Sequence, residues 1–90
     1  MKFQFDPEKA KSNLKKHMVS FADAEGVFYD SLAIHQEDHY SEGEERFIAI
    51  GMGSTNKIIV VIYTFRDDEI RVISARHATR QEKRQYESGI

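Results

Sequence analysis

The sequence predicts a single α+β domain with an antiparallel sheet and the element order β-α-α-β-β-β-β-α, and three observations support this fold class. The chain has 90 residues, 40% of them hydrophobic, which is enough for one packed core but not for two. Helix caps occur near both ends, whereas the middle has short apolar runs separated by turn residues. Cysteine is absent, so packing must hold the domain together without disulfides or thiolate metal sites.

The first third of the chain predicts a short strand and two helices. The alternation of Phe3-Gln-Phe5 is typical of a half-buried strand, and Asp6-Pro7 supplies an N-cap and a first-turn proline for a helix ending at His17. Ala10 and Leu14, four residues apart, are its expected apolar face, and lysines occupy most of the remainder. Ser20-Phe-Ala-Asp, a variant capping box, begins a second helix that should end near Tyr29.

Four strands and a last helix are expected in the remainder. Residues 57–64 are the most apolar stretch and should form the central strand, with both faces buried. Asp67-Asp68 predicts a hairpin turn, the acidic segment Gln36–Glu45 predicts a surface loop, and the capping box Thr79-Arg-Gln-Glu predicts a helix over residues 80–87. The other expected strands are Leu32–His35, Arg46–Gly51 and Ile70–Ala75.

The formal net charge of −2 conceals a segregation of charge along the chain. Residues 1–17 carry five Lys and two acids, residues 18–45 carry eight acids and no Lys or Arg, and residues 46–90 carry eight bases and five acids. If the two basic blocks meet in space, they form a surface that attracts an anion such as a nucleic-acid backbone. An ordinary solvated exterior is the alternative on charge alone.

The last predicted helix has basic residues where an apolar stripe would be expected. Arg80, Lys83 and Arg84 fall near one helical face, and Arg76 and His77 immediately precede the helix. Metal-free cleavage of RNA needs a group to accept the 2′-hydroxyl proton, cations for the developing charge and a donor for the leaving oxygen. Arginine and histidine supply these functions. A strand places neighbours on opposite faces, so Arg76 and His77 act together only if the chain leaves the sheet between them, an exit that the Thr79 cap favours.

Other polar residues predict less. His35 and His39 match no zinc-binding pattern, so no metal or other cofactor is expected, and His17 suits a helix C-terminus. The longest apolar run, Ile58–Tyr63, is too short for a signal peptide or a membrane span, so a cytoplasmic location without membrane contact is expected.

An ordered set of motifs resembles the BrnT family of type II toxins. The set comprises Phe3-x-Phe-Asp-Pro-x-Lys, Asn13-Leu-Lys-Lys-His, Val19-Ser-Phe-x-x-Ala, Glu44-Glu-Arg-Phe and Arg71-Val-Ile-Ser-Ala-Arg-His-Ala-Thr. The resemblance spans Phe3 to Tyr86. It implies a RelE-like fold, RNA cleavage, and neutralisation by a BrnA-like antitoxin with a ribbon-helix-helix domain. It also implies contact with operator DNA only through the toxin–antitoxin complex.

Three positions depart from the family pattern. His77 stands where the family usually has a second consecutive arginine, Phe5 where it commonly has tryptophan, and Met18 where it commonly has glycine. These changes affect phosphate binding or proton transfer, base stacking, and a tight helix C-cap, respectively.

The sequence therefore predicts a metal-independent endoribonuclease toxin. Arg76 and Arg80 are expected to stabilise the transition state, His77 to transfer a proton, and Glu69 to serve as a helper base. The expected RNA-binding residues are Lys15, Lys16, Arg46, Lys57, Arg71, Lys83 and Arg84. Two alternatives remain: a non-catalytic module that binds an antitoxin or nucleic acid, and a degenerate toxin inactivated by the change at His77. Cleavage of RNA in the presence of a chelator separates the enzyme from the binding module, and toxicity gained by restoring arginine at position 77 would favour the degenerate toxin.

Overall fold

A five-stranded mixed sheet in the order β1-β5-β4-β3-β2 carries two helices on one face and one on the other. The computed structural model describes residues 1–39 and 42–89. The elements are β1 (Phe3–Gln4), α1 (Pro7–His17), α2 (Phe21–Val27), β2 (Ile34–Glu37), β3 (Phe47–Met52), β4 (Ile58–Arg66), β5 (Glu69–His77) and α3 (Arg80–Ser88). The predicted fold class and element order are confirmed.

The pairing of the strands corrects one expectation. Strands β2 to β5 form the predicted antiparallel meander, with β4 at its centre, and Asp67 and Asp68 form the two-residue turn with φ angles of 54° and 64°. Strand β1 instead pairs in parallel with β5, Phe3 opposite Ile70, so the sheet is mixed. The first strand of a chain carries no local sequence feature that fixes which distant edge it joins.

Residues on the two faces of the sheet form separate apolar clusters. On the α1–α2 face, helix α2 places Phe21, Ala24 and Val27 against the sheet residues Val61 and Ala75. On the opposite face, here called the α3 face, a smaller cluster comprises Ile50, Val60, Ala78 and Tyr86. Because α3 contributes only Tyr86 to this cluster, it covers part of the face and leaves the rest open.

The buried side of α1 differs from the expected one. Ala10 packs on the core, but Leu14 is 48% exposed, and the buried residue of the helix is Asn13. The Asn13 amide donates to the carbonyl oxygens of Val19 (2.9 Å) and Ala75 (2.8 Å) and accepts from the N–H of Ala75 (3.1 Å). Strand β1 pairs with only two residues of β5, and the Asn13 side chain satisfies the backbone N–H and carbonyl of Ala75 farther along the same edge.

Helix α1 ends in a tight C-cap, although no glycine is present at that position. Met18 takes the left-handed conformation, with φ 59° and ψ 29°, and its N–H donates to the carbonyl of Leu14. A tight C-cap therefore forms with a residue that adopts this conformation at a cost.

The other boundaries differ from the expected ones by a few residues. Strand β2 begins at Ile34 and extends to Glu37, and α2 ends at Val27, with Phe28 as its C-cap. In the segment predicted as an acidic loop, Tyr40 and Ser41 lie outside the described residues. Among the helices described here, none is long and apolar enough to cross a membrane.

Candidate functional site

A cavity of about 390 Å³ lies where β5, the β3–β4 turn and α3 meet, and we call it the terminal cavity. Three of the predicted site residues line it: His77 at the end of β5, Lys57 before β4 and Lys83 on α3. The remaining lining residues are Met52, Asn56, Ile58 and Glu87. Two lysines against one glutamate give the lining a net positive charge, and its volume lies in the range of sites for small ligands.

Local folding explains why these groups converge. Asn56 takes a positive φ of 64° in the turn before β4, which positions Lys57 at the start of that strand. The N–H of Ala78 donates to the carbonyl of Ile58 (3.1 Å), so the sheet pairing continues one residue past β5 and holds the chain beside β4 at His77. The first turns of α3 then bring Lys83 to the same cavity.

Arg76 does not join His77 at this cavity. Both residues belong to β5, where Arg76 lies opposite Val60 and His77 opposite Ile59, so their side chains leave the strand on opposite sides. The expectation that the chain leaves the sheet between them is wrong, because strand pairing persists through His77.

The Arg76 guanidinium forms a bidentate salt bridge with the Glu82 carboxylate. Its two terminal nitrogens donate to the carboxylate at 2.8 Å and 3.0 Å. Glu82 also accepts from the N–H of Thr79 at 2.9 Å, completing the predicted capping box. The hydrogen bond from Arg76, aided by the N–H of Thr79 and the positive charge, lowers the pKa of Glu82 to about 2, and the same hydrogen bond raises the pKa of Arg76. Arg76 thus fastens the start of α3 to β5.

The other predicted catalytic residues lie apart from the cavity. Glu69 begins β5, eight residues before His77 along the strand and therefore more than roughly 20 Å away. It cannot serve as a helper base to His77. Arg80 is exposed in the first turn of α3 and does not line the cavity, and Arg84 is exposed on the same helix.

Arg46 and Arg71 lie on the open half of the α3 face. Arg71 pairs with Thr64 and donates to the side-chain oxygen of Gln4 (2.9 Å). Continuing the β3–β4 register by one residue places Arg46 opposite Thr64 on its other side, so the two arginines belong to one row across the sheet. The Nε of Arg46 is buried and finds no hydrogen-bond partner in the described part of the chain.

Lys15 and Lys16 are exposed in the last turn of α1. Helix α1 packs on the face of the sheet opposite α3, so these two lysines do not share a surface with Arg46 and Arg71. The predicted cations therefore divide among the terminal cavity, the exposed side of α3, the open α3 face and α1, with Arg76 paired to Glu82, and do not gather on one face.

Sequence reasoning missed Asp30, which ties α3 to the sheet. Its carboxylate accepts from the Tyr86 hydroxyl (2.7 Å), the Met52 N–H (2.8 Å) and the Leu32 N–H (2.9 Å). Although burial favours the protonated form, these hydrogen bonds keep the pKa of Asp30 below its usual value. The same contact, with burial, raises the pKa of Tyr86 to about 12. Met52 and Tyr86 are 22 and 56 residues away from Asp30 in the sequence, so no local pattern predicts these two contacts.

No group of three or more metal-ligating side chains occurs within residues 1–39 and 42–89. The Nδ1 of His35 lies 2.9 Å from the Tyr63 hydroxyl, and burial lowers the pKa of His35.

The fold and the terminal cavity define a small α+β protein that presents basic groups at one end of a mixed sheet. The chain matches the family model described as "Ribonuclease toxin, BrnT, of type II toxin-antitoxin system" over residues 5–82. It therefore belongs to the BrnT family, a toxin family whose members pair with an antitoxin.

A solved structure supports this assignment. The ribonuclease toxin BrnT of Brucella abortus is similar to this chain with a TM-score of 0.63 and 30% sequence identity, covering 89% of this chain and 99% of the Brucella chain. No curated protein matches significantly.

Proposed function

We propose that this chain is a metal-independent endoribonuclease that cleaves RNA at the terminal cavity. The observation that carries the proposal is the convergence of His77, Lys57 and Lys83, from three different elements, on one open cavity. Family membership supports ribonuclease action in general, and the cavity supplies one proton-transfer group and two cations at a single place.

The proposed reaction is a transesterification. The His77 imidazole accepts the proton of a 2′-hydroxyl, and the 2′ oxygen attacks the adjacent phosphorus. The bond from phosphorus to the 5′ oxygen breaks, giving a 2′,3′-cyclic phosphate and a 5′-hydroxyl. Lys57 and Lys83 neutralise charge on the phosphate oxygens, and an ammonium proton passes to the leaving oxygen.

Arg76 and Arg80 have different positions in this proposal. Arg76 can bind phosphate only if the phosphate displaces Glu82, because both of its terminal nitrogens already donate to that carboxylate. Arg80, exposed at the start of α3, can contact RNA that enters the cavity from the α3 side. We propose that RNA outside the cleaved bond follows the exposed cations of α3 and the row formed by Arg46 and Arg71. Lys15 and Lys16, on α1, would contact only a longer RNA.

Incubation of the purified chain with end-labelled RNA in excess EDTA tests the proposal. Cleavage is expected, and His77→Ala, Lys57→Met and Lys83→Met should each lower its rate about 10²- to 10³-fold. Lys9→Met, an exposed change on α1, is the matched control and should cleave normally. Unchanged rates in all three cavity variants, with the fold intact, would place the reaction elsewhere. A need for added divalent metal would refute metal independence alone.

A pair of variants tests whether Arg76 binds the scissile phosphate. If it does, Arg76→Ala should abolish cleavage, whereas Glu82→Gln should retain it because the guanidinium is then free. If both variants lower the cleavage rate slightly and equally, and both lose similar stability, the role of Arg76 is to anchor α3 to β5 and not to bind the phosphate.

We also propose that the antitoxin is BrnA-like, with a ribbon-helix-helix domain, and that operator DNA is bound only through the complex. Footprinting of the operator with the toxin alone and with the complex tests this, with protection expected only for the complex.

The second candidate function is a degenerate, non-catalytic toxin. Two features favour it: histidine occupies position 77, where the family usually has arginine, and Arg76 is already paired with Glu82. Under this hypothesis His77→Arg gains toxicity in a growth assay, whereas under the catalytic proposal wild type is already toxic.

A further inference from the structure

Helices α1 and α2 enclose a second concavity of about 340 Å³, which we call the helical groove. Its apolar lining includes Phe5, Ala10, Leu14 and Phe21, and the lining is completed by Pro7, Lys11, Ser20 and Ala22. The groove lies on the α1–α2 face, on the other side of the sheet from α3.

Two large apolar side chains that line the groove are exposed to solvent. Leu14 is 48% exposed and Phe5 43%, although Phe5 packs edge-on against Phe21 with ring centroids 5.7 Å apart. Met18, 75% exposed, follows Leu14 by one helical turn but does not line the groove. An apolar strip bordered by polar residues is typical of a protein interface, since each side chain would gain by burial in a partner.

The charges beside the groove indicate which partner fits. Lys11 lines it directly, and the block of residues 1–17, which contains α1, carries five lysines against two acids. An apolar segment flanked by acidic side chains is therefore complementary in both chemistry and charge. The groove follows α1 from Pro7 to Leu14, about 10 Å of helix axis, which matches two turns of a partner helix.

We propose that the helical groove binds a short amphipathic helix of the antitoxin, with apolar anchors in the groove and acidic residues toward Lys11. The proposal rests on the antitoxin partner that the toxin family implies and is independent of the catalytic assignment. RNA is a poor candidate for this groove, because the mostly apolar lining supplies a single cation, Lys11, to bind phosphate groups. A second copy of this chain is the remaining occupant that the experiment must separate.

The position of the groove gives the proposal a distinctive consequence. Because the groove and the terminal cavity share no lining residue and are built from different elements, changes in the groove should weaken antitoxin binding without altering RNA cleavage by the free toxin. A variant of the terminal cavity should do the reverse.

Titration of labelled toxin variants with the purified cognate antitoxin tests the proposal. Leu14→Gln removes an anchor, and Ala22→Glu places a carboxylate in the groove at an exposed position near the start of α2, where negative charge suits the helix. Each should raise the dissociation constant at least tenfold. Lys11→Glu should weaken binding more than Lys9→Glu, a charge reversal on the same helix that does not line the groove.

Circular dichroism and RNA cleavage of the same variants serve as controls and should match wild type. Affinities within twofold of wild type for both Leu14→Gln and Ala22→Glu would overturn the proposal. So would a change from dimer to monomer in these variants, measured by analytical ultracentrifugation, with antitoxin affinity unaltered, because a second copy would then occupy the groove. Absence of cleavage by wild type would refute the proposed function and leave this measurement valid.

Discussion

Replacing Asn13 by alanine removes the side chain that completes the uncovered edge of β5. The asparagine amide makes three hydrogen bonds in a site where the residue is only 7% exposed, two of them to the backbone of Ala75. Alanine leaves the Ala75 N–H and two carbonyl groups without these partners at a buried site. The substitution should therefore destabilise the domain although it keeps α1 helical.

The size of the loss follows from the three bonds. Each contributes about 1 kcal/mol net, and a buried amide left unpaired adds about 1–3 kcal/mol. The higher helix propensity of alanine returns about 0.7 kcal/mol. The net loss is then about 3–5 kcal/mol, a large share of the roughly 5–13 kcal/mol expected for a domain of this length. The melting temperature should fall by about 15–30 °C.

Urea unfolding and calorimetry of Asn13→Ala measure both quantities. Ser12→Ala, an exposed change at the neighbouring position of α1, is the matched control and should change stability by less than about 0.5 kcal/mol. A loss below about 1 kcal/mol for Asn13→Ala would refute the reasoning, because it would mean that the edge of β5 does not depend on the amide.

Three further predictions concern single contacts. Met18→Gly should stabilise the domain by about 0.5–1 kcal/mol, since Met18 is 75% exposed and its φ of 59° suits glycine; a lower midpoint of urea unfolding would contradict this. The pKa of Glu82, about 2 when folded, lies below its ordinary value near 4.5, so its ion pair with Arg76 stabilises the fold above about pH 4.5 and is lost as the pH falls toward 2. Glu82→Gln should flatten that acid-side dependence by about 1–2 kcal/mol, allowing for solvent screening at the partly exposed guanidinium, and an unaltered pH profile would count against it. Tyr86→Phe removes the hydroxyl that donates to Asp30 and should cost about 1.5–3 kcal/mol, seen as faster hydrogen exchange in α3; unchanged exchange would show that the contact does not hold the helix.

Features carried by neighbouring residues were predictable from the sequence. The N-cap at Asp6, the capping box at Thr79 and the turn at Asp67-Asp68 each depend on residues within four positions, and each occurs as expected. The apolar run of β4 likewise predicts a central strand, because only a strand covered on both faces tolerates that composition.

Features that depend on distant partners were not predictable. Leu14 has the helical spacing expected of a buried residue, yet the buried residue of α1 is Asn13. Its amide forms hydrogen bonds with the backbone of Ala75 at the edge of β5, which would otherwise be buried without partners. The capping box predicts Glu82 as a cap, but its hydrogen bonds to Arg76 depend on where α3 docks, which no local pattern predicts. The predicted site has the same weakness, because it groups basic residues that are close in sequence. Strand alternation places the neighbours Arg76 and His77 on opposite sides of β5.

The end of β5 shows how that alternation links stability and the proposed site. Ala75 is bonded to Asn13 of α1, Arg76 is paired with Glu82 of α3, and His77 lines the terminal cavity. Ala75 and Arg76 thus attach β5 to one helix on each face of the sheet, and the next residue, His77, is the proposed proton-transfer group. Because His77 directly follows these two anchored residues, a change at Asn13 should alter the position of His77 although Asn13 does not line the cavity. A slower cleavage rate in such a variant is therefore not sufficient to make the altered residue catalytic.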